Sequence, residues 1–236
     1  MLKIDNISKS FDEKCVLSNI NFQIKNRQIV ALLGENGAGK STLLRILSGF
    51  FEADTGSVTL DNLDIKTDRI AFLRRIGYVQ EVSSLYGDMS VYDFLRFVAS
   101  IRQIPQNDTC RRINEAVDLL QLREVLAQKN ETLSKGFKKR TELAAVLLAE
   151  PEILFLDEPT EGLDPNQKTT IRKIIKKYAR NHIVIISTHT LEDVEAMADR
   201  ILLLHQGKLL FDGTLTDFKK TSHNDLSASF RKATQK

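Results

Sequence analysis

Cysteine, tryptophan and long hydrophobic runs are scarce or absent in this sequence, and each absence narrows the possible functions. The 236 residues include no tryptophan and two cysteines, Cys15 and Cys110. Two distant cysteines supply neither a disulfide framework nor a zinc site, which favours a reducing, cytosolic compartment. Apolar runs such as Ile183 to Ile186 are far shorter than the roughly 20 residues of a spanning helix. We therefore expect that this chain does not cross a bilayer.

An excess of one charge is also lacking. The sequence has 34 lysines and arginines against 31 acidic residues, a net charge of +3. So small a basic excess does not favour nucleic acid as the main ligand, and no nucleic-acid partner is expected. The hydrophobic fraction of 42% is enough for one large domain, or for a domain with an insert.

Short apolar runs alternate with segments of helical period, as in an α/β fold with a mostly parallel sheet. The N-terminal stretch, Leu2 to Ile24, alternates more and predicts antiparallel strands. The predicted buried strands are Ile29 to Leu33, Ile153 to Leu156, Ile183 to Ile186 and Ile201 to Leu204. The predicted helices are about Lys40 to Ser48, Thr141 to Ala149, Pro165 to Tyr178 and Leu191 to Met197.

Two further segments differ from this alternation. From about Tyr86 to Asn130 the period is helical almost throughout, which indicates an α-helical subdomain inserted at about residues 86–150. The main domain is expected to span residues 1–221. Residues 222–236 are polar and poorly patterned, so a flexible tail is expected there.

A phosphate-binding loop follows the first predicted buried strand. The run Gly34 to Ser41 fits G-x-x-x-x-G-K-[ST] and precedes an apolar helical pattern. Backbone N–H groups of such a loop surround phosphates, Lys40 reaches the β- and γ-phosphates, and Ser41 offers a hydroxyl to Mg²⁺. The alternative is a glycine-rich turn, but strand, loop, Lys-Ser pair and helix all agree. The predicted nucleotide contacts are Gly34, Asn36, Gly37, Ala38, Gly39, Lys40, Ser41 and Thr42.

An acidic pair, Asp157-Glu158, directly follows the predicted strand Ile153 to Leu156. Carboxyl ends of parallel strands are where α/β sheets hold ligands. Asp157 is predicted to hold Mg²⁺ through a bound water, and Glu158 to orient and polarise the attacking water. Taken alone, the pair could equally be solvated, and the phosphate loop favours the functional interpretation.

Further motifs follow in a fixed order, and the series resembles the ATP-binding cassette family over nearly the whole chain. After the phosphate loop, the series comprises Tyr78-Val79-Gln80-Glu81 (Q-loop), Leu133-Ser134-Lys135-Gly136-Phe137 (signature), the acidic pair, Glu161-Gly162-Leu163-Asp164 (D-loop) and Ser187-Thr188-His189 (switch histidine). The resemblance implies a P-loop NTPase core, an antiparallel N-terminal β subdomain, the helical insert, and ATP hydrolysis with Mg²⁺.

By this resemblance, Gln80 contacts the metal or the attacking water and couples the nucleotide to a membrane subunit. His189 binds the γ-phosphate and helps to hold Glu158. Phe11 resembles the aromatic residue that stacks on adenine, with Val16 beside it. Taken alone, Phe11 would more often be a core residue, and His189 a loop histidine.

The signature and the D-loop imply a head-to-tail pair. Ser134 and Gly136 would open a helix that points at the γ-phosphate held by the opposite protomer, and Asp164 would lie at the dimer seam. Lys135 and Phe137 depart from the common LSGGQ form. Lys135 either strengthens the anion contact or faces solvent, and Lys138, Lys139 and Arg140 are expected to face solvent.

Within the family, the segment Leu85 to Leu95 and the Leu-Ser-Lys-Gly-Phe signature look like subunits of ABC-2 type exporters, including the gliding and drug-resistance groups. This implies a homodimer or heterodimer of ATPase subunits beneath a separate transmembrane permease, peripheral at the inner face of the cell membrane. One rival is a soluble ABC ATPase that acts on the ribosome or DNA, but the single cassette and the absence of heptads disfavour it. The second alternative is an ATP-gated structural module that does not hydrolyse ATP. Glu158, the residue predicted to polarise the attacking water, argues against this alternative.

Overall fold

The structure, a computed structural model, describes residues 1–25, 27–82, 85–222 and 225–234. Its N-terminal sheet is antiparallel and has the order β2-β1-β4-β5. Alternate residues of the first two strands are buried, as the alternating sequence pattern predicts. The strands of this sheet are β1 (Leu2–Phe11), β2 (Lys14–Ile24), β4 (Thr55–Leu60) and β5 (Leu63–Asp64).

The second sheet has the order β10-β9-β3-β8-β7-β6, and all its neighbouring strands are parallel except β10 with β9. Helices cover both faces, so strands β3, β7 and β8 are buried along their whole length and read as continuous apolar runs. The strands are β3 (Ile29–Leu33), β6 (Ile76–Val79), β7 (Ile153–Asp157), β8 (Ile183–Thr188), β9 (Arg200–His205) and β10 (Lys208–Thr214).

The helices confirm the predicted α/β alternation and the helical part between β6 and β7. Ser90 caps the first helix of that part by accepting a hydrogen bond from the Asp93 amide, and Val91 and Leu95 are buried on its inner side. The helices are α1 (Lys40–Leu47), α2 (Arg69–Arg74), α3 (Val91–Ile101), α4 (Gln106–Leu120), α5 (Lys135–Leu147), α6 (Pro165–Ala179), α7 (Leu191–Met197), α8 (Leu215–Lys220) and α9 (Leu226–Thr234).

The end of the chain differs from the sequence expectation. A flexible tail was predicted for residues 222–236, but residues Leu226–Thr234 form helix α9. Leu226 and Ser229 are buried, and Phe230 packs against the hydrophobic core. Tertiary packing therefore stabilises a short helix whose polar sequence gave little signal. Positions 223, 224, 235 and 236 lie outside the described residues.

Over the described ranges, no helix combines the length and the apolar character needed to cross a membrane.

Candidate functional site

The glycine-rich loop joins β3 to α1 and folds around the Lys40 side chain. Gly37 and Gly39 adopt positive φ angles of 81° and 104°, which a glycine reaches without strain. The Lys40 ammonium donates hydrogen bonds to the carbonyl oxygens of Gly34 (2.9 Å) and Glu35 (3.1 Å), and the side chain is only 6% exposed. The fold therefore holds one cation inside the loop, against two backbone carbonyl oxygens, and a cation in a glycine-rich loop at a helix N-terminus suits phosphate.

Asp157 ends β7 beside this loop. Its Oδ1 accepts hydrogen bonds from the hydroxyls of Ser41 (3.0 Å) and Ser187 (2.5 Å), and Oδ2 accepts one from the Tyr78 hydroxyl (3.3 Å). Burial, followed by the Asp157 charge, raises the pKa of Tyr78 to about 12, so this phenol stays a donor. The Ser41–Asp157 pair thus offers closely spaced oxygen ligands, as the sequence predicted.

Glu158 follows in a left-handed conformation with φ of 45°, which is uncommon for a residue with a side chain. Its Oε1 lies 3.1 Å from His189 Nδ1 and 3.6 Å from the Lys40 ammonium. Burial raises the pKa of the Glu158 carboxyl, while the His189 hydrogen bond, the His189 charge and the Lys40 charge oppose the rise. Backbone strain of this kind clusters at functional sites, and the surroundings of Glu158 suit a base.

Lys40, Ser41, Glu158 and His189 line one open cavity of about 710 Å³, while Asp157 is buried and is not among the lining residues. The cavity lies at the carboxyl ends of β3, β7 and β8, the edge where parallel sheets bind ligands. Its predicted lining residues are Val16, Asn36, Gly37, Gly39, Lys40, Ser41, Thr42, Glu158 and His189, while Gly34 and Ala38 are buried in the loop itself. The structure therefore brings together most of the residues predicted from the sequence.

Glu158, Glu161 and His189 form a cluster of potential metal-ligand atoms at the same cavity. His189 Nε2 is 3.8 Å from the carboxylate of Glu161, and potential ligand atoms of Glu158, Glu161 and His189 lie within 4.8 Å of one another. The imidazole is thus flanked by two carboxylates, which fixes the position of His189 at the mouth of the cavity.

Phe11 and Gln80 are predicted contacts that do not line this cavity. Phe11 is 40% exposed and packs edge-on against Phe51, with ring centroids 5.4 Å apart, and it is not among the lining residues. Gln80 lines a separate groove between the sheet and the helical part, whereas its neighbour Glu81 lines the cavity. Phe11 ends β1 and Gln80 directly follows β6. At the end of a strand, the local sequence pattern does not determine the direction of a side chain.

The signature and the D-loop contact each other instead. Ser134 caps α5, Asp164 caps α6 in a capping box with Gln167, and a Cβ on Gly136 would lie 2.7 Å from the Gln167 side chain. Ser134, Gly136 and Asp164 are absent from the lining of the cavity. The Lys135 side chain crosses over Gly162, whose φ is +65°.

The basic run after the signature corrects one expectation. Lys139 was predicted to face solvent, but its ammonium donates hydrogen bonds to the carbonyl oxygens of Gln80 (2.9 Å) and Glu81 (3.4 Å). Burial lowers the pKa of Lys139. The Arg140 guanidinium lies over the Phe137 ring, 4.0 Å from its centroid, and is also half-buried. A helix that is packed on two sides leaves these long side chains little access to solvent.

Several residues of the site gave no signal in the sequence. Gly207 comes from the β9–β10 turn, and a Cβ there would lie 2.4 Å from the Val16 carbonyl oxygen. The missed residues that line the cavity are Lys14, Cys15, Glu81, Glu161, Gln206 and Gly207. The Glu158–His189 contact, which the resemblance implied, follows from topology, because β7 and β8 are adjacent parallel strands that end together.

The chain is similar in sequence to known proteins. The family described as ABC transporter matches residues 17–161. The chain is 33% identical to the linearmycin resistance ATP-binding protein LnrL of Bacillus subtilis. The match covers 92% of this chain and 70% of LnrL. It is 34% identical over 95% of its length to the probable multidrug ABC transporter ATP-binding protein YbhF of Escherichia coli, but covers only 39% of that protein.

A solved structure is similar over most of the chain. It is a dimeric, post-hydrolysis state of the ATP-binding cassette MJ0796 bound to ADP and Pi, at 25% identity and a TM-score of 0.81, with 91% of this chain and 99% of that chain covered. The family match covers more than half of the residues, and the fold, the phosphate loop and the acidic pair all agree with it. This chain belongs to the ABC transporter family and is an ATP-binding, ATP-hydrolysing subunit of that family.

Proposed function

We propose that this chain energises a separate transmembrane permease of the ABC-2 export type by closing and opening a pair of ATPase subunits. One observation carries the proposal: Lys40, Ser41 and the Glu158–His189 pair all line a single cavity, and buried Asp157 accepts a hydrogen bond from the Ser41 hydroxyl there. Similarity to ATP-binding proteins of linearmycin resistance and of probable multidrug transport favours export.

In this proposal each side chain has one task in phosphoryl transfer. The loop amides and Lys40 hold the β- and γ-phosphates. Glu158 orients the attacking water and accepts its proton, while His189 holds the Glu158 carboxylate and contacts the γ-phosphate. Ser41 and Asp157 present oxygen donors 3.0 Å apart, so they would hold Mg²⁺. The bound ion supplies charge neutralisation at the phosphate oxygens. The proposed roles of Gln80 at the metal and Phe11 at adenine rest on the resemblance alone.

The pH dependence of turnover tests the role of Glu158. Because burial raises the pKa of Glu158, its protonated, inactive form persists to higher pH than for an exposed glutamate. We expect kcat/KM to fall about tenfold per pH unit on the acid side, with an apparent pKa above 4.5, the ordinary value. Steady-state rates across the pH range check this. An apparent pKa at or below the ordinary value would contradict the assignment.

A second copy of the chain supplies the missing side of the cavity. Ser134 and Asp164 are exposed, Gly136 is buried against the Gln167 side chain, and none of the three lines the cavity that holds Lys40. The amino end of α5 carries a partial positive charge, which suits a γ-phosphate held by the facing protomer. The dimeric assembly of the similar cassette supports a head-to-tail arrangement. Either two identical chains or two related chains would satisfy this geometry.

An apolar groove beside Gln80 is the proposed docking site for the permease. Phe50, Phe94 and Val98 line it, and Phe50 is 67% exposed with its ring against Tyr78, at a centroid distance of 5.5 Å. The groove lies between the sheet edge at β6 and helix α3. A cytoplasmic segment of the permease seated there would contact the Q-loop directly, and would keep the chain at the inner face of the membrane.

The substitution Phe50→Glu tests this function. Docking of the permease would bury the new carboxylate against an apolar surface, so we expect a tagged chain to lose its multi-helix membrane partner when purified from solubilised membranes. ATP binding by the isolated chain should stay normal. Leu210→Glu is the matched control, because Leu210 is 45% exposed on β10, at the sheet edge opposite β6. Retention of the same membrane partner by Phe50→Glu would contradict the docking site.

A further inference from the structure

A buried carboxylate outside the cavity, that of Asp193, joins the two segments that carry Glu158 and His189. Asp193 lies in the first turn of α7 and is 2% exposed. A buried charge is costly unless it is paired and hydrogen-bonded. Its surroundings therefore indicate what the fold uses it for.

Asp193 is held by groups from three different parts of the chain. Its Oδ2 accepts hydrogen bonds from the hydroxyl of Thr160 at 2.5 Å and from that of Thr188 at 3.5 Å. Its Oδ1 accepts one from Arg172 Nε on α6, at 2.8 Å. Thr160 and Thr188 are themselves 3% and 1% exposed. The two threonine contacts therefore lie where water cannot replace a lost partner.

The two threonines that bind Asp193 lie next to the proposed catalytic residues in the sequence. Thr160 lies two residues after Glu158, and Thr188 directly precedes His189. The Thr188 carbonyl oxygen also accepts a hydrogen bond from the Gly34 amide at the start of the phosphate loop, at 3.3 Å. One carboxylate oxygen thus connects the turn after the acidic pair to the strand end that presents His189 and contacts the phosphate loop.

We infer that Asp193 is a positioning residue that holds the Glu158 turn and the His189 strand end in register for ATP hydrolysis. The inference rests on the roles proposed for Glu158 and His189. Asp193 touches neither the cavity nor the reacting atoms, and it acts through Thr160 and Thr188. Arg172 pairs with its charge and ties the same point to α6, the helix that Asp164 caps.

An isosteric substitution, Thr160→Val, removes one hydrogen bond to Asp193 without changing shape or charge. Misplacement of a catalytic group by about 1 Å can slow turnover by about 100-fold. We expect kcat to fall by about tenfold while KM and the affinity for ATP stay unchanged, since Lys40 and the loop amides are untouched. Thr169→Val is the matched control, because Thr169 is exposed on α6 and bonds only to the Pro165 carbonyl oxygen within the described structure.

Two further variants separate positioning from stability. Asp193→Asn removes the buried negative charge that pairs with Arg172 and leaves Arg172 paired with the exposed carboxylate of Glu192, so both the melting temperature and kcat should fall. The double variant Asp193→Asn/Arg172→Met removes both charges, so the melting temperature should recover while kcat stays low. Recovery of kcat along with stability would overturn the inference. So would wild-type kcat in Thr160→Val, or a loss of ATP affinity equal to the loss of kcat.

The hydrolysis rate of Glu158→Gln distinguishes a failure of this inference from a failure of the proposed function. If Glu158→Gln blocks hydrolysis and Thr160→Val does not slow it, the roles at the cavity stand and only the positioning role fails. If Glu158→Gln hydrolyses ATP normally, the proposed function itself is wrong, whatever Thr160→Val does.

Discussion

Replacing Lys40 by alanine is expected to abolish ATP binding and turnover. The Lys40 ammonium is the cation at the centre of the phosphate loop, and it lies 3.6 Å from the Glu158 carboxylate. Two charge-assisted hydrogen bonds to phosphate, at about 1.5–3 kcal/mol each, correspond to about 10²- to 10⁴-fold in affinity. The variant also leaves Asp157 and Glu158 facing the phosphates without a balancing charge. Equilibrium binding of a fluorescent ATP analogue and the steady-state rate measure both losses.

The control for this variant is Lys173→Ala. Lys173 is an exposed lysine on α6, remote from the lining of the cavity, so its loss tests for a general effect of removing one positive charge. ATP binding and turnover should remain normal in Lys173→Ala. Normal turnover in Lys40→Ala would remove the phosphate-loop assignment and, with it, the basis of the site.

Glu158→Gln is expected to keep ATP bound and to slow hydrolysis by about 10²- to 10⁴-fold, the usual contribution of a general base. Glutamine keeps the shape and one oxygen for His189, but it cannot accept the proton of the attacking water. Because hydrolysis no longer removes the γ-phosphate, the head-to-tail pair should persist. A sizing column run at saturating ATP should therefore show the variant as a dimer and the same variant without ATP as a monomer.

The raised pKa of Glu158 also predicts how Glu158→Gln affects the stability of the fold. Burial favours the neutral carboxyl, so the neutral amide should not destabilise the folded chain at neutral pH, and the melting temperature should not fall. Glu115→Gln, at an exposed position on α4, is the control for charge removal. A monomer at saturating ATP would count against the ATP sandwich, and unchanged hydrolysis would exclude Glu158 as the base.

The fold was predictable wherever burial left a strong periodic signal. Strands β3, β7 and β8 are continuous apolar runs because both faces of the parallel sheet are covered, and the sequence located each of them. β10 was not located, since it is the exposed edge with alternating burial, and β6 was read only as part of the Q-loop. Helix α9 was not expected, because its stability comes from packing of Leu226 and Phe230 and not from local propensity.

The candidate site was predictable to the extent that its groups are local in the chain. The loop from Gly34 to Ser41 carries its own geometry, because glycines, Lys40 and the start of α1 are consecutive. Phe11, Gln80 and Lys139 were harder to place, since the direction of each side chain depends on elements distant in sequence. Lys139 illustrates this point: a basic run suggests solvent, but the ammonium bonds to carbonyl oxygens 59 and 58 positions away.

By itself, the sequence determined the α/β class, the phosphate loop, the acidic pair and the order of motifs, because short-range spacing and hydrophobic period encode them. Only the tertiary structure decided which of these groups meet. It set Glu158 against His189 and Lys40, turned the signature away from the cavity of its own chain, and buried Asp193 between Thr160, Thr188 and Arg172. The physical reason is that strand order and packing bring residues together across long stretches of chain, and no local pattern records those distances.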